Sequence, residues 1–142
     1  MKFFAKSITK VAGSVLFLCA GAAAASAQDD EDPAVPPADA FTPIERYGIT
    51  YDKPRDIAEF YLQRFGLHRN DADTYEVKHP TDRSMRIMIV TADGLANDSV
   101  QAAQWRLGVK FSEGQWQAVE AGMRRKCARG ENAGQWTKEV CP

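Results

Sequence analysis

Between Asp52 and Gly66 the chain reads DKPRDIAEFYLQRFG. Its apolar residues Ile57, Phe60, Tyr61 and Phe65 return at helical spacing, which predicts an amphipathic helix with one face to bury. Asp52 is placed to cap that helix, and Pro54 suits its first turn. Gly66 suits the left-handed residue that ends it. Beyond the helix the period changes to two. Tyr75 to His79 alternates apolar and polar residues, and Pro80 and Asp82 mark a turn. Ser84 to Thr91, SMRIMIVT, is apolar on both faces apart from Arg86, as a central strand should be. Asp93-Gly94 and Asn97-Asp98 are breakers. Trp105, Leu107, Val109 and Phe111 then alternate with Arg106, Gly108 and Lys110, and Ser112-Glu113-Gly114 reads as a hairpin loop. The returning strand, Trp116 to Cys127, changes phase. Trp116 and Ala118 share one parity, while Val119, Ala121 and Met123 need the other, which predicts a β-bulge near Ala118. Gly122 leaves room for a close neighbour, with the helix as the candidate.

These elements predict an α+β fold over residues 44–142. One N-terminal amphipathic helix packs on a four-stranded antiparallel meander, followed by a disulfide-linked C-terminal tail. Cystatin-like and NTF2-like folds have this outline by analogy, and an outline alone assigns no function.

The front of the chain is of another kind. Lys2, Lys6 and Lys10 precede an uncharged apolar run from Val11 to Ala25, and Ala25-Ser26-Ala27 is a small-x-small site. This is the order of a secretory signal peptide over residues 1–27. The run of about 15 residues falls short of the roughly 20 a membrane span needs. Residues 28–43, QDDEDPAVPPADAFTP, are acids, alanines and prolines, and are expected to form a disordered arm. Cleavage near Ala27 would place the mature chain in the periplasm or outside the cell. It would also remove Cys19, leaving Cys127 and Cys141 as an even pair where disulfides persist. The leader holds three of the chain's 18 basic residues and none of its 19 acidic ones. The mature chain is therefore mildly acidic, which argues against nucleic acid as a partner.

Motifs that carry chemistry are mostly absent from the sequence. His68 and His79 are the only histidines, and no HExxH or comparable ligand spacing surrounds them, so neither a metal nor another cofactor is expected. GxSxG and Gly-rich phosphate loops are absent. Asp93, Asp98 and Glu113 all lie in loops and would matter only if the fold brought them together. Asn97-Asp98-Ser99 matches a glycosylation sequon, but the alanine-rich leader is of a bacterial kind, and the match is set aside.

The strongest charge feature is MRRKCARG, which gathers Arg124, Arg125, Lys126 and Arg129 around Cys127. Along a strand Arg124 and Lys126 share one face, and Arg125 shares the other with Cys127. With Arg106 and Lys110 they form a candidate anion-binding patch. The C-terminal third also resembles a pattern found in a family of small exported bacterial proteins with no assigned activity. The residues that carry it are Asp98-Ser99-Val100, Trp105-Arg106-Leu107, Gly114-Gln115-Trp116, Arg125-Lys126-Cys127, Arg129-Gly130, Trp136 and Cys141. The resemblance spans residues 98–141 and implies no substrate or catalytic residue. The leading expectation is a non-enzymatic binding or envelope-associated module, with an anionic envelope component or a protein as partner. One alternative is a small-molecule-binding protein or enzyme with a pocket between helix and sheet, lined by Tyr61, Met88 and Trp105, with a carboxylate or His79 converging on it. The other is a secreted hydrolase inhibitor acting through Ala128 to Asn132. The pair Cys127 and Cys141 is expected to close the tail as a staple.

Overall fold

The computed structural model describes residues 34–142. The expected signal peptide and the first part of the expected acidic arm lie outside the described residues. After a 3-10 turn at Ala38–Ala40 come β1 (Thr42–Pro43), β2 (Thr50–Tyr51) and α1 (Pro54–Arg64). Then follow β3 (Asp73–Lys78), β4 (Met85–Asp93), β5 (Val100–Ser112), β6 (Gln115–Cys127) and β7 (Trp136–Thr137). All strand pairs are antiparallel and form one seven-stranded sheet, in the order β1-β6-β5-β4-β3, with β2 and β7 also paired to β6. The expected helix on a four-stranded meander is therefore corrected. The described chain is mostly β, with one α-helix, and the cystatin-like and NTF2-like outline goes with the correction.

The reason lies at the outer edge of β6. A 13-residue strand exposes a row of backbone groups that need partners. Here the edge is covered in pieces: β2 pairs with Trp116 and Gln117, β1 with Gly122 and Met123, and β7 with Arg125 and Lys126. Between these pieces the Ile44 N–H donates to the Ala121 carbonyl at 3.0 Å. The bulge falls at Val119, because Gly108 pairs with Glu120 and Val109 with Ala118. The Val119 carbonyl accepts from Arg46 Nη1 at 2.9 Å. Two-residue strands carry no periodicity, so hydrogen-bond demand places them, not their own sequence.

Residues 38–43 belong to the fold. Phe41 is 4% exposed and β1 is a sheet strand, so the boundary of the arm lies before residue 38 and not after Pro43. Phe41 is also the close neighbour of Gly122. A Cβ at Gly122 would stand 2.8 Å from Phe41 Cβ, so the room is used by this segment and not by the helix. The β5–β6 hairpin turns on Glu113 and Gly114, both at positive φ, the combination that matches the twist of a two-residue loop.

Helix α1 has Lys53 as its cap residue and no side-chain cap, so Asp52 does not serve. Its end is built as expected: Gly66 has φ +73°, its N–H donates to the Gln63 carbonyl, and the Leu67 N–H reaches the Leu62 carbonyl. That pair of bonds is a Schellman motif. The buried helix face is Ile57, Ala58, Tyr61 and Leu62; Phe65 lies past the last helical residue and is 47% exposed. This face packs on Met88, Val90, Trp105, Leu107 and Val109. Each fully buried side chain of this size contributes about 1.5–3 kcal/mol. On the other face of the sheet Val77, Ile87 and Ile89 make a smaller cluster, with Val35 and Tyr75 against it.

A candidate ligand groove and the fate of the basic patch

The expected pocket residues separate. Met88 is fully buried in the core and Tyr61 is 2% exposed, with its hydroxyl donating to the Glu45 carbonyl at 2.9 Å. Burial raises the Tyr61 pKa, and the neighbouring Tyr47 raises it further. These two residues fill space and do not line a site. Trp105 does both: it is 1% exposed and also borders an open groove of about 420 Å³.

The groove follows from local structure. Its floor is the β5–β6 pair, where Ala103 stands opposite Arg125 and Trp105 opposite Met123. Ala103 is small, which leaves a hollow beside the indole. One wall is the helix exit, Phe65 and Leu67, fixed by the Schellman turn. The other is the β4–β5 loop, Leu95 to Asn97. That loop is held by Asn97 Oδ1, which accepts from the N–H groups of Ser99 and Val100 at 2.8 and 3.0 Å. The Phe65 ring stands edge-on to Trp105 with centroids 5.2 Å apart.

Two residues that line this groove carry polar groups without partners among the described residues. Trp105 Nε1 is buried and has no acceptor among the described residues. Arg125 is half-buried and makes no ion pair or side-chain hydrogen bond among them. Unpaired buried donors carry a cost, and such groups concentrate where something else completes them.

The basic residues are otherwise engaged. Arg106, Lys110, Arg124 and Lys126 do share the sheet face away from the helix, by the register of β5 and β6. Arg106 Nη1 pairs with Glu120 at 2.9 Å, and Lys110 Nζ lies 3.5 Å from Asp82. Arg124 is the centre of a cluster. Its Nε donates to Gln104 Oε1 at 2.8 Å, and Gln104 Nε2 donates to Thr91 Oγ1 at 2.8 Å. Its guanidinium lies over the Phe41 and Trp136 rings at 4.8 and 5.0 Å, and burial lowers its pKa. Lys126 Nζ also lies 5.0 Å from the Trp136 ring. These cations hold the N-terminal segment and the tail to the sheet. A second hollow on this face, about 340 Å³, is bordered by Arg46 and Arg106; Arg46 Nη1 serves the Val119 carbonyl and Arg106 Nη1 serves Glu120, while Arg106 Nε is buried without a partner among the described residues.

The remaining candidates scatter. Glu113 sits in the hairpin while Asp93 pairs with Ala102 at the far end of β5, roughly 35 Å away along the strand, so the loop carboxylates do not converge. His79 Nδ1 accepts from the N–H groups of Thr81 and Asp82 at 3.3 and 3.1 Å and holds a turn. His68 is exposed and caps the 3-10 turn at Arg69–Asp71. Among the described residues no group of three His, Cys, Asp or Glu side chains could hold a metal, and no helix is long and apolar enough to cross a membrane.

Cys127 and Cys141 form a disulfide, with Cα atoms 5.4 Å apart. It sits beside the β6–β7 pair. The loop expected for an inhibitor is tied down here, because Arg129 bonds both Ser99 Oγ and the Pro142 carbonyl, at 2.9 and 3.0 Å. No family model matches the chain, and it is similar to no curated protein and to no solved structure.

Proposed function

We propose that the chain is an exported, non-enzymatic binding module that holds a small molecule in the groove beside Trp105. The observation that carries this is a hollow of about 420 Å³ lined by Trp105, whose indole N–H has no partner among the described residues, and by Arg125, which has no counter-ion among them. That volume lies within the usual range for ligand sites, and apolar walls with a few polar groups are their usual lining. The side chains that line it supply a guanidinium, an amide and an indole, with no nucleophile or general base among them, which favours binding over catalysis. The groove is preferred to the basic patch because Arg106 and Lys110 already have carboxylate counter-ions and Arg124 is held by Gln104 and two aromatic rings. The leader supports export, with Gln28 as the first residue of the mature chain.

A small-molecule library screened by NMR against the oxidised mature protein tests this reading. Binders should shift the Trp105 indole resonance and the backbone signals of Leu95 to Asn97. Binders that shift only signals elsewhere, or no binders at all, would contradict it. Mass spectrometry of the exported chain should give Gln28 at the N-terminus, and a retained Met1 would contradict export by cleavage.

A further inference from the structure

We infer that the groove selects small apolar carboxylates, a claim that rests on the binding reading above and adds the ligand's chemistry to it. The polar side chains lining the groove offer donors. Arg125 can only donate. Trp105 contributes an N–H and no acceptor. Asn97 has already committed its carbonyl oxygen to the Ser99 and Val100 N–H groups, so its remaining capacity is the amide NH2. No acidic side chain lines the groove; Phe65, Leu67, Leu95 and Met123 supply its apolar surface. A site that presents donors, one of them cationic, on apolar walls is complementary to an acceptor-only anion with an apolar body. A carboxylate is that anion at neutral pH, and it accepts from a guanidinium in a charge-assisted bond.

Trp105 Nε1 is covered, so an acceptor reaches it only when a neighbour gives way. Phe65, edge-on to the indole with ring centroids 5.2 Å apart, is the exposed neighbour that would do so. It is 47% exposed and lies beyond the last helical residue, Arg64. The carboxylate then sits between Arg125 and the indole, while the ligand's apolar body takes the place that the Phe65 ring leaves against Trp105. Arg125 fixes the charge preference, and Trp105 fixes the orientation.

The test is a matched pair of ligands, 3-phenylpropionate and uncharged 3-phenylpropionamide, titrated into the oxidised mature protein. Binding is followed by Trp fluorescence and by the Trp105 indole resonance. The acid should bind at least about tenfold more tightly than the amide, the scale of one charge-assisted hydrogen bond. Arg125→Met should abolish that preference, and its half-buried position leaves the core intact. Trp105→Phe, checked for an unchanged fold by circular dichroism, should weaken the acid about threefold to tenfold. Equal affinity for acid and amide, with the indole resonance shifting for both, would overturn the carboxylate inference and leave groove binding standing. If neither ligand moves the indole resonance, the inference fails. If the wider library also fails to move it, groove binding falls as well.

Discussion

Reduction of the Cys127–Cys141 disulfide is the perturbation whose size follows most directly from the structure. The bridge joins residues 14 apart in sequence. Loop-closure entropy for a ring of that size stabilises the folded chain by about 3 kcal/mol. For a small domain each kcal/mol is worth about 4–8 °C in melting temperature, so reduction should lower Tm by roughly 12–24 °C. The native tail should nevertheless stay docked at room temperature. Its other ties survive reduction: the two β6–β7 register pairs, the Gly134 N–H to the Cys127 carbonyl at 2.9 Å, and Thr42 Oγ1 to the Lys138 carbonyl at 2.6 Å. Trp136 also stays stacked on Arg124 and Lys126. The assay is differential scanning calorimetry of oxidised and reduced protein, with near-UV circular dichroism below the transition to report Trp136. Reduced wild type is a cleaner comparison than an alanine double variant, because Cys127 is 2% exposed and its removal would leave a cavity. An unchanged Tm would refute the reasoning, since it would mean that the bridge restricts the unfolded chain no more than the folded one. A lowered Tm with loss of the near-UV signal at room temperature would refute the docked tail.

Three further outcomes are expected. Arg124→Lys keeps the charge but cannot lie flat over two rings while donating to Gln104, so it should cost about 1–2 kcal/mol in chemical denaturation; a neutral effect would contradict the clamp. Gly122→Ala drives a Cβ to 2.8 Å from Phe41 Cβ and should cost about 1–3 kcal/mol. Gly108→Ala should also be costly, because its Cβ would stand 2.9 Å from Glu120 Cβ, which the backbone fixes, and a neutral effect at either glycine would contradict the packing. Ser84 donates its hydroxyl and its N–H to Asp82 Oδ1 at 2.6 and 2.9 Å, and with Lys110 these contacts hold the carboxyl below its ordinary range. Ionised Asp82 therefore stabilises the fold above the unfolded carboxylate value of about 3.9, and this contribution is lost as pH falls through the lower folded value. Acid titration of stability should show a loss there that Asp82→Asn lacks.

The long elements were legible because each carries its own period. β4, β5 and β6 alternate or run apolar, the phase change pointed to a bulge near Ala118, one residue from its place at Val119, and Gly66 marked the helix end. The helix face was legible only in part, because the chain leaves the helix at Arg64 and carries Phe65 away while Leu62 goes inward. β1, β2 and β7 were not legible. Two residues have no period, and these strands exist only because β6 leaves its outer edge to be covered. Phe41 was hidden in a stretch of acids, alanines and prolines whose composition argues for disorder. The basic cluster could be read, but its partners could not. Arg106 with Glu120 and Arg124 with Gln104 depend on cross-strand register, which the bulge resets. The groove was half visible: Trp105 stood out, but Leu95, Asn97 and Ala103 lie in a stretch of breakers and alanines without a pattern. Arg125 was placed opposite Arg124 and Lys126 by parity alone, and only the packed helix and loop show what its side of the sheet faces.

The proposed ligand of this fold is a small acid bound beside Trp105. A crystal structure of the oxidised mature protein grown with 3-phenylpropionate tests it most directly. The carboxylate is expected within hydrogen-bond distance of Arg125 and Trp105 Nε1, with Phe65 displaced from its edge-on position. An empty groove at saturating acid, or the acid seated against Arg106 and Lys126 on the other face of the sheet, would contradict it.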